Sequence, residues 1–396
     1  MYIPAFPTFS LFDLFQGGEN QINFPPLNTA NTYYYFRGAN AIFNGIKMLN
    51  LDSEENILMP AYHDGMEVEA ILAAGVKVKF YNVTEKLEVD LDDINRRIDG
   101  KTKVLFIAHY FGFPQPLPDI KKFCEEKRLY LIENCSQALY SRFQDRLLGR
   151  LGDISIFSFH KSLPTPDGGA LIVNRDGVRI ITTVEKPRFL MVAREVALIL
   201  LERLRTFSEE CFQMLDWTFI KPTNFLWRVL KRTPKGSFMV RASMTSDFDT
   251  KQALMGMSEL SMRIIKKADV RDIINKRRDN FQFLLARLNN TPSIRLFYRT
   301  LPMGVCPLFL PILVDNRDRL HNRLKERGIE TFVFGREPHP SLPKSQFPFV
   351  EMCSNQNLCL PIHQDLERTH LAYIIRMIKV EMESVGKLEV DELLSS

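Results

Sequence analysis

Between Arg37 and about Arg175, short apolar runs alternate with amphipathic stretches, and this rhythm restricts the fold more than any other feature of the chain. The runs are Ile57-Leu58-Met59, Val76 to Phe80, Val104 to Ile107, Tyr130-Leu131-Ile132, Ile154 to Phe157 and Ala170 to Val173. Helix-like segments lie near 39 to 50, 65 to 74 and 118 to 127, the last two ended by Gly75 and by Glu126-Lys127-Arg128. Such alternation predicts an α/β fold, a mostly parallel sheet sandwiched by helices, with ligands at the carboxyl ends of its strands. Chemistry is therefore expected just after each apolar run.

The rest of the chain divides around that block. Residues 1–36 carry many aromatics and prolines but little charge, which suggests an arm laid over a hydrophobic surface. A large domain is expected over 37–180 and a helical insertion over 181–245. Residues 246–396 are expected to form a linking helix and a smaller α/β domain, with a strand at Leu308–Val314 and helices near 317 to 327 and 366 to 383. A length of 396 residues accommodates two or three such domains.

Charge and cysteine usage exclude several functions. The chain has 52 Lys+Arg against 47 Asp+Glu, a net +5 with the signs interleaved, so no nucleic-acid partner is expected. Six cysteines occur without C-x-x-C spacing, which predicts neither a structural metal nor a disulfide framework. No run of eighteen uncharged apolar residues occurs, and no basic residue precedes Arg37, so a cytoplasmic protein is expected.

Three strand ends carry candidate chemistry, while G-x-G-x-x-G and P-loop signatures are missing. Arg37-Gly38-Ala39-Asn40 stands directly before a helix, where free N–H groups and the helix dipole can hold a phosphate. Phe157-Ser158-Phe159-His160-Lys161 ends an apolar run and precedes Asp167-Gly168-Gly169; a lysine so placed can form a Schiff base with an aldehyde. Ile132-Glu133-Asn134-Cys135-Ser136-Gln137 puts polar side chains after another buried run.

With these pieces in this order, and with Pro60-Ala61-Tyr62, His109-Tyr110-Phe111-Gly112, Arg327-Gly328-Ile329-Glu330-Thr331 and Leu358 to His363, the sequence resembles the DegT/DnrJ/StrS-type aminotransferases. The resemblance implies a fold-type I enzyme using pyridoxal 5'-phosphate, transferring an amino group from an amino acid, glutamate for example, to a nucleotide-linked keto-sugar in polysaccharide or glycan building. It makes Lys161 the catalytic lysine that holds the cofactor and moves the proton. Gly38, Ala39 and Ser158 would bind the phosphate, Gln137 would face the phenolic oxygen, and His63 or a neighbour would lie over the ring. Two departures stand out: Asp64 occupies the position where the family usually has a stacking aromatic, and Asn134 the position of the Asp that pairs with the pyridine nitrogen. An amide cannot supply that charge, which leaves Glu133 as a possible substitute and a non-catalytic sensor or assembly role as the alternative function.

The resemblance also implies a homodimer, with Asp247 to Thr250 as candidates to reach across. In the insertion, a helical projection of 188–205 places Arg188, Arg194, Glu195, Glu202, Arg203 and Arg205 on one half and aliphatic residues on the other. Together with the basic, Trp-containing stretch 217–241, this is expected to pack over the site or on a partner, or to touch a membrane surface through 188–241.

Overall fold

The computed structural model describes residues 1–9, 27–178, 184–215 and 248–395. Strands β1 (Thr32–Tyr35), β2 (Asn56–Pro60), β3 (Lys77–Tyr81), β4 (Thr102–Ala108) and β5 (Tyr130–Asn134) precede a small hairpin, β6 (Arg142–Phe143) and β7 (Arg146–Leu147). Strands β8 (Ile154–Ser158) and β9 (Gly169–Val173) complete the large sheet, whose order is β1-β9-β8-β5-β4-β2-β3. The pairs β2/β3, β2/β4, β4/β5 and β5/β8 are parallel, while β9 runs antiparallel to β8 and β1. All residues of β2, β8 and β9 and all but Tyr130 of β5 are buried, as expected of strands covered on both faces.

The covering helices in this half are α1 (Gly38–Met48), α2 (Gly65–Ala73), α3 (Leu91–Arg97) and α4 (Leu117–Lys127). Asp64 starts α2 with a capping box: its side chain accepts the Met66 N–H and Glu67 reaches back to the Asp64 N–H. Gly75, with φ of 87°, ends it in a conformation that favours glycine. Beyond the sheet follow α5 (Phe189–Phe207), α6 (Glu209–Leu215), α7 (Glu259–Lys267) and α8 (Val270–Leu288). The final part pairs β10 (Arg295–Leu296), β11 (Phe309–Leu313) and β12 (Asn357–Pro361) in an antiparallel sheet, with α9 (Arg317–Glu326), α10 (Pro348–Gln356) and α11 (Arg368–Ser395). The mostly parallel sheet and the smaller α/β part agree with the alternation read from the sequence.

The arm 1–36 is more varied than a simple strap. Ile3 bridges to Ile329, and Phe6 packs edge-on against Phe309 and Phe332. Thr32–Tyr35, however, become the edge strand β1 of the large sheet. Residues 10–26 lie outside the described residues, as does the 216–247 stretch that holds both tryptophans and most of the basic positions.

Helix α5 departs from its helical projection. Its buried residues are Glu195, Leu198 and Ile199, so a residue assigned to the polar half faces inward. The reason is pairing: Glu195 accepts from Arg37 at 3.0 Å and from Arg194 at 3.1 Å. Periodicity alone does not know that the surface met by α5 is charged.

Candidate active site

The carboxyl ends of β2, β5 and β8 and the start of α1 enclose a cavity of about 330 Å3. Lys161 lies on its wall, three residues beyond β8, with Ser158 and His160 beside it; Ser158 Oγ and His160 Nδ1 are 3.1 Å apart. Fully buried Arg277 braces this turn from α8. Its guanidinium donates to the Ser162 carbonyl at 3.0 Å, to the Leu308 carbonyl at 3.1 Å and to Gln364 Oε1 at 3.0 Å. No sequence pattern singles out this brace, because its partners are 115, 31 and 87 residues away.

Opposite the lysine, Gly38, Ala39 and Asn40 of α1 line the cavity. Arg37, the N-cap, offers no side-chain cap to the first turn, so its N–H groups are left for a ligand. A Cβ built on Gly38 would enter the space between Ser158 Cβ (3.4 Å) and Ser136 Oγ (3.5 Å). Gly169 is needed for another reason: a Cβ there would meet the Arg37 carbonyl carbon and oxygen at 2.4 Å and Gly38 N at 2.6 Å. Two serine hydroxyls and the open end of a helix thus converge on one corner, a donor set that suits a phosphate.

The third wall is acidic. Asp64, Met66 and Glu67 line it, and both carboxyl groups are buried. Asn134 Nδ2 donates to Glu67 Oε1 at 2.6 Å, and Asn134 Oδ1 accepts the Ser136 N–H at 3.0 Å. Burial first, and Asp64 second, push the Glu67 carboxyl up to about 7, against the opposing influence of Lys161 and of the Asn134 hydrogen bond. Burial likewise raises Asp64, with Lys161 acting against it. Glu67 therefore takes up a proton more readily in the folded chain than in the unfolded one, whose group titrates near 4.5. Stability must fall as pH rises between those values. Urea unfolding at pH 5 and pH 8 is expected to show the wild type losing about 2–3 kcal/mol more than Glu67→Gln over that interval. Equal losses would place the Glu67 proton elsewhere.

Several expected residues are elsewhere. Glu133 cannot turn inward as a substitute for Asp: its carboxylate accepts the N–H groups of Gly149, Leu151 and Gly152 at 2.5, 3.2 and 2.9 Å, and pairs with His109 at 3.2 Å. Burial alone would raise its pKa, but the bonds and charge of His109 and the backbone N–H groups outweigh burial and lower it. Neighbours on a strand point to opposite faces, so Glu133 and Asn134 cannot share a task. His63 is not on the cavity wall; its ring stacks on Phe80 at 5.1 Å, its Nε2 accepts the His339 N–H at 3.3 Å, and burial lowers its pKa to about 4. Gln137 is buried, with Oε1 accepting the Phe111 N–H at 3.0 Å. Phe248 and Asp249, expected to reach across to a partner, line this chain's own cavity, and Asp247 lies outside the described residues. Met191 and Arg194 of α5 also line the cavity.

Sequence reasoning missed Glu67 and Ser136. For Ser136 the signal was present, within the quoted run Ile132 to Gln137; Glu67 sits inside the helix-like segment 65 to 74 and meets Asn134 only in the fold.

A seven-stranded, mostly parallel sheet with a smaller α/β part and a lysine at a strand end defines the fold-type I class. Two solved structures share the architecture: the aminotransferase TlmJ from Streptoalloteichus hindustanus, at a TM-score of 0.64, 20% identity and coverage of 90% of this chain and 87% of that one, and PseC from Helicobacter pylori, at 0.62, 16%, 89% and 87%. Residues 36–184 match the sequence profile of the DegT/DnrJ/EryC1/StrS aminotransferase family. Among relatives, GDP-perosamine synthase of Vibrio cholerae is 28% identical over 142 residues, which is 35% of this chain and 39% of that protein. A dTDP-4-dehydro-2,3,6-trideoxy-D-glucose 4-aminotransferase of Saccharopolyspora spinosa is 26% identical over 341 residues, 83% of this chain and 79% of that protein.

Proposed function

We propose that this protein is an aminotransferase that uses pyridoxal 5'-phosphate to move an amino group from an amino-acid donor to a nucleotide-linked keto-sugar in glycan building. The observation that carries the reading is Lys161 on the wall of a cavity that Gly38, Ser136 and Ser158 also line. The residues suit the cofactor: an aldehyde-reactive amine, and a phosphate corner made of a helix N-terminus and two hydroxyls. The cofactor supplies an electron sink for the charge left when a proton departs from the carbon next to the transferred amine.

The chain's own groups divide the remaining work. The first turn of α1 and the hydroxyls of Ser158 and Ser136 hold the phosphate and set the orientation. Lys161 would hold the cofactor's aldehyde carbon, and its Nζ is the group on this wall that would accept and return the transferred proton. Met191 and Arg194, which also line the cavity, limit water. The named sugar substrates of the relatives above support the choice of acceptor class. A homodimer in the cytoplasm belongs to the same proposal; Phe189 and Leu190, 80% and 79% exposed at the start of α5, are apolar surface that such a partner would cover.

The test is a single-turnover assay with the loaded protein. Added glutamate should bleach the cofactor's visible band and yield one equivalent of 2-oxoglutarate, and a nucleotide-linked 4-keto-sugar should then restore the band and appear as an amino sugar. A band that no amino acid or keto-sugar alters would favour the sensor or assembly role instead.

A further inference from the structure

Beyond the cavity, buried side chains cluster at His109, Glu133 and Cys135. The His109 cluster is fully engaged: Gln115 N–H donates to His109 Nδ1, so His109 Nε2 carries the hydrogen given to Glu133, whose other lone pairs take backbone N–H groups. The arrangement that goes furthest is the contact between Asn134 and Glu67.

We infer that Glu67, held by Asn134, is the carboxylate that partners the pyridine nitrogen in this chain, so that the acidic group has moved from the end of β5 to the first turn of α2. The inference rests on the cofactor reading above. Asn134 is buried behind the cavity wall rather than on it, with Nδ2 donating to Glu67 and Oδ1 accepting the Ser136 N–H. Glu67, in contrast, lies on the cavity wall and keeps lone pairs beyond those that accept from Asn134 and from the Asp64 N–H. An amide is the one side chain of this shape that can donate to a carboxylate; an Asp at 134 would set two carboxyl groups against each other at 2.6 Å, where only one could ionise. Asparagine at 134 and glutamate at 67 thus form one unit. A pyridine nitrogen beside Glu67 would share its proton with a carboxyl group that burial and the neighbouring Asp64 already incline to hold one.

The experiment loads the full chain with pyridoxal phosphate labelled with 15N in the ring and records the ring-nitrogen resonance together with cofactor affinity. The wild type is expected to show the protonated position. Glu67→Gln should move the resonance to the unprotonated position and weaken binding about 10–100-fold, the loss typical of a charge-assisted hydrogen bond. Asn134→Asp, which sets a second carboxyl group against Glu67, should bring no gain in affinity. A resonance unmoved by Glu67→Gln, in a protein whose visible band still depends on Lys161, would overturn this inference and leave the cofactor reading intact. A wild type with no Lys161-dependent band would overturn both.

Discussion

Lys161→Ala is expected to abolish the visible band of the cofactor-loaded protein and to lower amino transfer by at least about 10⁴-fold, since it removes both the anchoring amine and the group that carries the proton. The fold should survive. Lys161 is only half-buried on a cavity wall, and the turn that bears it is held by Arg277 through the carbonyl of Ser162 rather than by the lysine. Urea unfolding of the variant within about 0.5 kcal/mol of wild type would confirm that the loss is chemical. Lys161→Arg separates charge from chemistry: it keeps the positive charge near Asp64 and Glu67 but should be as inactive as alanine. Substantial activity in either variant would remove Lys161 from its assigned role and direct attention to His160, which shares the wall.

The second large effect is expected from Gly169→Ala. The new Cβ would lie 2.4 Å from the carbonyl carbon and oxygen of Arg37 and 2.6 Å from Gly38 N, all backbone atoms that cannot rotate aside. Either β9 or the start of α1 must shift, and the start of α1 belongs to the proposed phosphate corner. A stability loss of about 2–3 kcal/mol is expected from such overpacking, along with about 100-fold weaker cofactor binding, read by fluorescence titration. Gly100→Ala serves as the control, because a Cβ there meets nothing within 4 Å. If the two variants bind cofactor alike, the phosphate corner is not where α1 begins.

The two predictions concern features of different visibility. Lys161 was legible because a strand followed at once by Ser-Phe-His-Lys is a local pattern, and a strand end in a parallel sheet is where ligands bind. Gly38 was legible for a similar reason, a glycine opening a helix. Gly169 appeared in the sequence only as part of a turn; that the 37–38 peptide crosses directly over it depends on the antiparallel pairing of β1 with β9, where Tyr35 lies opposite Gly169. His63 went astray because its neighbourhood comes from elsewhere: Phe80 from the next strand and His339 from the far half of the chain claim its ring. Helix α5 went astray because an ion pair with Arg37 outweighed the apolar stripe.

By itself the sequence determined what depends on near neighbours along the chain. The period of the apolar runs implies the α/β alternation, the strand ends point to Lys161 as a candidate, the Gly38 turn points to a phosphate, and Gly75 marks the end of α2. Only the tertiary structure decided where the acid stands. Glu67 and Asn134 are 67 residues apart and meet because β2 pairs with β4 and β4 with β5 in parallel, which brings the start of α2 against the end of β5. Glu133, adjacent in sequence to Asn134, is sent to the opposite face by the pleat of the same strand and is held there by three backbone N–H groups. Residue identity is a property of the chain, but a charge acts through distance, and distance between remote residues exists only once the sheet has formed.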